Sequence, residues 1–268
     1  MSGDFEQVIQ WYPGHMASAM RRMADYVKLV DVVIEVVDAR VPLSGFNPLL
    51  DEVAGNRRRL KILSREDLAD PAETAQWMKI LGPETLTVNA LTQGAFVKVK
   101  QRLRDLVAPG HRMQRAMVVG IPNSGKSSVI NGLVGRSVAR TEDRAGVTRQ
   151  LQWFKVGTLF ELMDTPGILV PRIGSADAQW KLALVGAVPR DHYDPEDVAA
   201  RFHRWLTEKT GGRTKVPDLS AFAQARGFVR HGGESDYHNA AQSYVKDFND
   251  GKFGRITLES ATRDVQAA

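Results

Sequence analysis

The spacing of apolar residues predicts helices and buried strands in alternation through the first part of the chain. One stripe recurs at intervals of three and four residues, the period of one helix face, and we expect it to lie in the core. Its members are Met16, Met20, Met23, Val27 and Val30. Nearly continuous β-branched and apolar runs follow, as is typical of parallel strands covered on both faces. These runs are residues 31–38, 59–63, 85–88, 116–120 and 158–164.

Helical patterns separate several of these runs, at residues 71–81 and 96–107, which predicts a mostly parallel α/β sheet with helices on both faces. Beyond Pro171 the β-branched runs stop, and only helical periodicity remains. It covers residues 176–188, 195–210, 219–226 and 237–250. We therefore predict two domains, an α/β domain at 1–172 and an all-helical domain at 173–268.

Composition narrows the classes of protein. The chain has 43% hydrophobic and 25% charged residues, and no apolar run approaches the ~20 residues that a membrane span needs. It contains no cysteine, which excludes disulfides, thiolate metal sites and cysteine nucleophiles. With no signal-peptide pattern at the N-terminus, we expect a soluble, cytoplasmic protein. The net charge of +5 is a moderate excess of positive charge, which would help binding to a polyanion but is also common in proteins that bind none.

A phosphate-binding loop is the strongest motif. GIPNSGKS, residues 120–127, matches G-x-x-x-x-G-K-[ST] between a predicted strand and a predicted helix, which is the context that a P-loop needs. Lys126 is expected to reach the terminal phosphates, and the Ser127 hydroxyl to bind Mg²⁺. The nucleotide contacts predicted in this loop are Asn123, Ser124, Gly125, Lys126, Ser127 and Ser128.

A second acidic site follows the next apolar run. There Asp164 can hold Mg²⁺ through water, and the Gly167 amide can meet the γ-phosphate. Between the two motifs Thr148 is a candidate switch residue that closes over the Mg²⁺, although a threonine in a polar loop is commonly a plain loop residue. Together the three features predict a site for phosphoryl transfer.

The order of the motifs is unusual. A guanine pocket carries N-K-x-D, and no such sequence lies downstream of Asp164, where an ordinary G domain keeps it. Two loops upstream take its place. They are Ser64, Arg65, Glu66 and Asp67 after one strand, and Asn89 and Ala90 after the next. Base loops that precede phosphate loops indicate a circular permutation, which preserves the sheet and relocates the termini.

Several further motifs are recognisable along the chain. They are WYPGHM (11–16), VVDARVPLSGFNP (36–48), and RGFVRHGGESD with GKFGRITLE near the C-terminus. Together with the P-loop, the Thr148 loop and DTPG (164–167), they make the chain resemble the circularly permuted ribosome biogenesis GTPase A (RbgA/YlqF) family along nearly its whole length. The resemblance implies a permuted P-loop G domain followed by an all-helical C-terminal domain.

The base motif departs from the family pattern, since N-K-x-D is here S-R-E-D. Asp67 is kept for the guanine N1 and N2 positions, and the stem of Arg65 can cover the ring. Ser64 is shorter than asparagine, so we expect it to lose a hydrogen bond that braces the loop against the P-loop, with weaker guanine affinity. From composition alone, a charged surface loop is an equal interpretation.

The glutamine that orients the attacking water in many small GTPases directly follows the glycine of the D-x-x-G motif. In this chain Ile168 occupies that position. The resemblance points to His15 as the catalytic group, with Lys126. Without the resemblance, a histidine at this position is more often a residue that caps or packs against a helix. In related GTPases an asparagine at the position of Asn123 ligates K⁺. Asn123 could equally be present because asparagine tolerates turn conformations.

The resemblance also implies partners. These are GTP and GDP with Mg²⁺, and the large ribosomal subunit with its rRNA, bound in the GTP state and released on ribosome-stimulated hydrolysis. Candidate RNA contacts are Arg226, Arg230, His231 and Lys252, each of which could also be ordinary surface charge. We expect a monomer that binds neither DNA nor membrane. Alternative functions are a nucleotide-gated binding module with little hydrolysis, motivated by Ile168, and an ATPase with relaxed base specificity.

Overall fold

The computed structural model describes residues 23–106, 113–135, 152–158, 160–165, 173, 175–229 and 234–264. The strands within them are β1 Val32–Asp38, β2 Arg58–Ser64, β3 Thr85–Val88, β4 Gln114–Val119, β5 Gln152–Val156 and β6 Phe160–Asp164. They form a sheet in the order β3-β2-β1-β4-β6-β5. Neighbouring strands are parallel except for β5, which is antiparallel to β6.

The predicted strands are present, and one strand was missed. β1 to β4 begin and end within two residues of the predicted runs, whereas the run predicted at 158–164 begins as a strand only at Phe160. β5 was not predicted, because it lies at the sheet edge with Trp153 exposed and no fully buried residue, so it lacks a continuous apolar run.

Four helices accompany the strands in this part of the described chain. They are α1 Leu49–Ala54, α2 Pro71–Leu81, α3 Val97–Asp105 and α4 Lys126–Val134. α2 matches its prediction; its N-cap Asp70 accepts hydrogen bonds from the amides of Ala72 and Glu73. α1 was not predicted, because it is shorter than two helical turns. A further helical segment spans residues 23–27.

Helices cover both faces of the sheet with their apolar sides. In β1, Val32, Ile34 and Val36 belong to the core cluster formed with α3 and α4, whereas Val33 packs in a second cluster with Met23 and other residues. The core stripe predicted from sequence is therefore confirmed at Met23, Val27 and Val30, all buried. Met16 and Met20 lie outside the described residues.

The second compact unit is helical. Its elements are α5 Ala176–Leu184, a 3₁₀ turn Arg190–His192, α6 Pro195–Lys209, α7 Leu219–Ala225 and α8 Tyr237–Asn249. Aromatic rings build its core, and the centroid of Phe202 lies 5.1 Å from that of Phe248. The predicted fold class, a mostly parallel α/β sheet followed by helices, is confirmed. Across the described ranges, no helix is long and apolar enough to cross a membrane.

The C-terminal residues belong to the unit that contains the sheet. Sequence reasoning placed 173–268 in one helical domain, but residues 255–264 group with the sheet unit, while 173–254 form the helical one. Ile256 donates its amide to Leu68, and Leu258 to Arg40. The predicted domain division is wrong for this segment because its hydrogen bonds reach residues about 190 to 220 positions earlier in the chain.

Candidate functional site

The loop after β4 has the strained backbone of a phosphate-binding loop. Gly120, Asn123 and Gly125 all have positive φ, at 154°, 59° and 88°. A Cβ at Gly120 would lie 2.2 Å from the carbonyl oxygen of Val36, so only glycine fits there. Gly125 is the N-cap of α4, which starts at Lys126. The loop thus directs the amino end of a helix toward the carboxyl edge of the sheet, where anions bind favourably.

Lys126 and Asp164 are buried charges at this edge. The Lys126 ammonium donates to the carbonyl of Ile121 at 3.1 Å. Burial lowers its pKa to about 8, although the negative charge of Asp164 opposes that shift. Burial likewise raises the pKa of Asp164 to about 6, against the opposing charge of Lys126 and a backbone hydrogen bond from Thr165. Each charge favours the ionised form of the other group, but for both groups the effect of burial on the pKa is larger.

Two oxygens at the site lack hydrogen-bond partners among the described residues. They are Oδ1 of Asp164 and the hydroxyl of Ser124, both buried. Native proteins rarely leave such groups unpaired, and functional sites are a common exception. Thr165 does not share this condition, because its hydroxyl donates to Val118 at 2.7 Å and so fixes the chain just after Asp164.

The base loop, residues 64–70 after β2, meets the phosphate loop directly. The Ser64 hydroxyl lies 2.5 Å from the Ser124 carbonyl and 3.2 Å from that of Val37, so it can donate to either. Ser64 therefore keeps a hydrogen bond to the P-loop, contrary to the expectation that the brace is lost, while the expected weakening of guanine affinity stays a prediction. A short side chain suffices because the backbones approach closely: a Cβ at Gly125 would lie 3.1 Å from the Ser64 oxygen.

Arg65 is held by a buried carboxylate. Its backbone has φ 53°, and its guanidinium lies 3.5 Å from Asp38. Arg40 binds Asp38 as well, through two side-chain hydrogen bonds of 2.8 and 3.0 Å and its amide. Burial alone would raise the pKa of Asp38, but the charge and hydrogen bonds of Arg40, with the charge of Arg65, hold it below the usual value. The guanidinium of Arg65 is thus directed by Asp38.

Asp67 and Asn89 lie on adjacent loops, because β2 and β3 pair with Ser64 opposite Val88. Asp67 is partly buried, and within the described part of the chain its carboxylate makes no hydrogen bond, so it can accept from a ligand. Asn89 instead caps its own loop, with its carboxamide oxygen accepting from the Leu91 amide at 2.9 Å. Glu66 joins the two loops through its amide, which donates to Val88.

The structure therefore brings together the P-loop, Asp164 and the base loop at one sheet edge. Ser127 and Ser128 lie in the first turn of α4, and Ala90 follows Asn89 in an exposed position. Three predicted site residues lie outside the described residues, and they are His15, Thr148 and Gly167. Ile168, at the position of the usual glutamine, lies outside them too. The candidate RNA contacts Arg230 and His231 lie outside them too.

The other two candidate RNA contacts, Arg226 and Lys252, form ion pairs within the helical unit. Arg226 and Lys252 both bind the buried carboxylate of Asp247, at 2.5 and 2.6 Å. Their side chains are about half exposed, 42% and 50%, so each can still present part of its surface to solvent. Their interpretation as RNA contacts stays a prediction.

Sequence reasoning missed the contribution of the C-terminal segment to this region. Arg255 donates to the carbonyls of Glu66 and Ala69 in the base loop. In the sequence, the motif GKFGRITLE carries the family resemblance but predicts no contact with the base loop. The available signal was the alternation of the polar residues Arg255, Thr257 and Glu259, which follow the last predicted helix.

Comparison with known proteins gives consistent matches. A family model described as a 50S ribosome-binding GTPase matches residues 115–204. Ribosome biogenesis GTPase A from Bacillus cereus is 38% identical over 94% of this chain and 94% of its own. The mouse mitochondrial ribosome-associated GTPase 1 is 36% identical, covering 94% of this chain and 90% of its own.

Solved structures agree. GNP-bound YlqF from T. maritima superposes with a TM-score of 0.73 at 28% identity, covering 91% of this chain and 99% of that one. A GDP-bound YlqF structure gives a TM-score of 0.71 at 29% identity, covering 90% and 99%. The similarity therefore extends over both units of the fold.

Proposed function

Because the chain belongs to the ribosome biogenesis GTPase A family, we propose that it binds GTP and GDP, hydrolyses GTP and acts in assembly of the large ribosomal subunit. The observation that carries the GTPase half is the buried pair Lys126 and Asp164 beside a base loop that touches the P-loop. Cytoplasmic location and a monomeric state belong to the same proposal.

The phosphates bind in the loop after β4. Backbone amides from Asn123 to Ser128 surround the β-phosphate at the amino end of α4, and Lys126 exchanges the Ile121 carbonyl for phosphate oxygens. Gly167 adds an amide for the γ-phosphate. The buried lysine is suited to this exchange, since a phosphate stabilises its charged form better than a peptide carbonyl does.

The donor set fits Mg²⁺. Asp164 Oδ1, which has no hydrogen-bond partner in the described ranges, and the Ser127 hydroxyl are hard oxygen ligands near the expected phosphates. Thr148 completes the set. When bound, the ion neutralises charge on the phosphate oxygens during transfer. Asp164 must be ionised for this role, and the charge of a bound Mg²⁺ would itself favour the ionised carboxylate.

Guanine binds between the two base loops. The carboxylate of Asp67, which accepts no hydrogen bond from the described residues, accepts from the guanine N1 and N2 hydrogens. The stem of Arg65 covers one face of the ring while its guanidinium stays with Asp38. Ser64 and Glu66 hold the loop in place, and Asn89 with Ala90 closes the far side. Asp67 gives preference for guanine because adenine presents no matching pair of donors.

Two groups are proposed to assist hydrolysis, since Ile168 cannot orient water. His15 is the proposed catalytic residue, acting when the ribosome orders its segment. Asn123 is the proposed ligand for K⁺, whose charge would assist transition-state stabilisation. The left-handed backbone of Asn123 also accounts for an asparagine there without any ion, so the K⁺ dependence needs its own measurement.

The decisive experiment measures turnover of GTP and ATP by the purified protein, with and without large ribosomal subunits, in K⁺ and in Na⁺ buffer. We expect GTP hydrolysis that the subunits stimulate, with little ATP hydrolysis. Equal rates with both nucleotides would instead support the ATPase. GTP binding without stimulated turnover would support a nucleotide-gated binding module, which Ile168 favours.

Replacing His15 tests the catalytic proposal. In His15→Ala we expect subunit-stimulated turnover to fall while GDP affinity, measured by calorimetry, stays unchanged. His238→Ala in the helical unit is the matched control and should keep wild-type turnover. If His15→Ala hydrolyses GTP normally on the subunit, the histidine has a structural role.

A further inference from the structure

The base loop is supported by a segment from the other end of the chain. We call residues 255–261 the C-terminal strap. Its backbone crosses two loops at the carboxyl edge of the sheet: the Ile256 amide donates to Leu68 at 2.9 Å, and the Leu258 amide donates to Arg40 at 2.8 Å. The strap therefore connects the loop after β2 with the loop after β1.

The strap holds the backbone on both sides of Asp67. Arg255 donates through Nη2 to the carbonyl of Glu66 at 2.7 Å and through Nε to that of Ala69 at 2.8 Å. The Thr257 hydroxyl oxygen accepts a hydrogen bond from the amide of Asp70 at 3.0 Å. Every residue of this turn from 66 to 70 except Asp67 itself thus has a hydrogen bond to the strap.

The other end of the strap is anchored in the protein interior. Glu259 is buried and accepts from the amides of Leu43 and Ser44 and from the Ser44 hydroxyl, and its own carbonyl accepts from Trp77 at 3.1 Å. The Ala261 amide donates to Glu73. Because one end of the strap is fixed in this way, Arg255 is presented to the base loop from a rigid support.

Recognition of guanine by a carboxylate depends on position. Two adjacent N–H donors must both meet the carboxylate oxygens, and a site displaced by even about 1 Å is too loose to function well. Surface loops of this length are otherwise mobile. The strap replaces that mobility with hydrogen bonds at both flanks of Asp67. None of the strap's hydrogen bonds uses the carboxylate of Asp67, which therefore stays available to a ligand.

We propose that Arg255 is a positioning residue for guanine recognition, fixing Asp67 through the carbonyls of Glu66 and Ala69 without itself touching the nucleotide. The inference rests on the proposed function and deepens it. Since Arg255 acts on the loop that reads the base, its loss should change base selectivity, whereas contacts to the phosphates stay intact.

The test compares binding of GDP, IDP and ADP to the full-length protein by calorimetry. IDP lacks the guanine 2-amino group, so the ratio of GDP to IDP affinity reports the contact of Asp67 with N2. In Arg255→Ala we expect GDP affinity to fall about tenfold, as for loss of a charged hydrogen bond. IDP affinity should fall less, because IDP keeps only the N1 contact with Asp67, and ADP affinity should change little. The GDP to IDP ratio should therefore shrink.

Three further variants complete the design. Arg255→Lys keeps a donor and should recover part of the ratio. Arg263→Ala removes an exposed arginine just beyond the strap and should match the wild type. Thr257→Val keeps the shape of a fully buried residue but removes the acceptor for Asp70, so it should shrink the ratio even if Arg255→Ala folds poorly.

The outcomes separate two failures. If the wild type prefers GDP but Arg255→Ala and Thr257→Val lower all three affinities equally, or none of them, the positioning role is wrong and the strap serves stability alone. If the wild type binds GDP, IDP and ADP alike, guanine specificity itself is wrong, and this inference fails with it.

Discussion

The phosphate loop and the base loop lie side by side but are held in different ways. The phosphate loop is shaped by its own residues: positive φ at Gly120 and Gly125, the start of α4, and a bond from Lys126 to Ile121 only five positions away. The base loop receives its bonds from distant segments, namely Ser64 to Ser124, 60 positions away, and Arg255 to Glu66, 189 positions away.

The difference separates the binding energy of the phosphates from the binding energy that selects the base. A locally encoded loop tolerates permutation of the chain, because its strand, turn and helix move together. A loop braced by distant segments depends on the whole fold and can vary in sequence where the brace is kept, as Ser64 shows. Changes in the phosphate loop should therefore affect every nucleotide alike, and changes to the base-loop braces should affect the choice of base.

The largest expected effect is in the phosphate loop. Lys126→Ala should weaken GDP and ADP binding by a similar factor, about 100-fold, because a buried charge-assisted hydrogen bond to phosphate is lost. Turnover of GTP should fall as well, since the lysine contacts the transferring phosphate. Calorimetric titration with each nucleotide measures the effect.

Lys98→Ala, on an exposed position of α3, is the control and should bind as the wild type does. A loss confined to GDP in Lys126→Ala would break the comparison, because it would make the phosphate loop responsible for base choice.

The next effect is on pH dependence. Lys126 has a pKa of about 8 in the free protein, and a bound phosphate favours its charged form, so binding above pH 8 requires proton uptake. GDP affinity should therefore fall as pH rises above 8, by up to about tenfold per pH unit. ADP should show the same slope, since the base plays no part.

Stability of the free protein should follow the opposite sign. Between pH 8 and 10.5 the unfolded chain holds more protons on this lysine than the folded one, so the contribution of Lys126 to the free energy of unfolding rises with pH. Thermal melting in parallel with the titrations checks both trends. In Lys126→Ala both should disappear, and a slope that persists would assign the titration to another group.

The smallest expected effect concerns the bond between the two loops. Ser64→Ala removes the hydroxyl that reaches the Ser124 carbonyl, worth about 1 kcal/mol, so GDP affinity should fall about fivefold. ADP affinity should change less, because the base loop moves while the phosphate loop keeps its own bonds. Competition against a fluorescent GDP analogue measures both affinities.

Ser220→Ala in the helical unit serves as the control for serine removal. Ser64→Asn, which restores the residue usual in the family, should give no tighter GDP binding, since serine already reaches the P-loop and Gly125 lies close by. A clear gain in affinity would show that asparagine supplies a brace that this serine lacks.

Much of the fold could be predicted from pattern alone. β1 to β4 are nearly continuous apolar runs because both faces are covered, and α2 carries its own cap and first-turn proline. β5 could not be predicted, since an edge strand with exposed residues has no distinct period. The short α1 and the placement of the C-terminal strap likewise depend on packing partners that lie far away in sequence.

The sequence by itself determined the phosphate site, since the motif of residues 120–127 specifies its own backbone, and it determined the permuted order of the loops. Only the tertiary structure decided how the base loop is held. It showed that Ser64 reaches the P-loop, that Asp38 directs Arg65, and that Arg255 grips the loop from the C-terminal end. The physical reason is range: a turn and a helix cap are set by neighbours in the chain, whereas hydrogen bonds between distant segments exist only after the sheet has brought its strand ends to one edge.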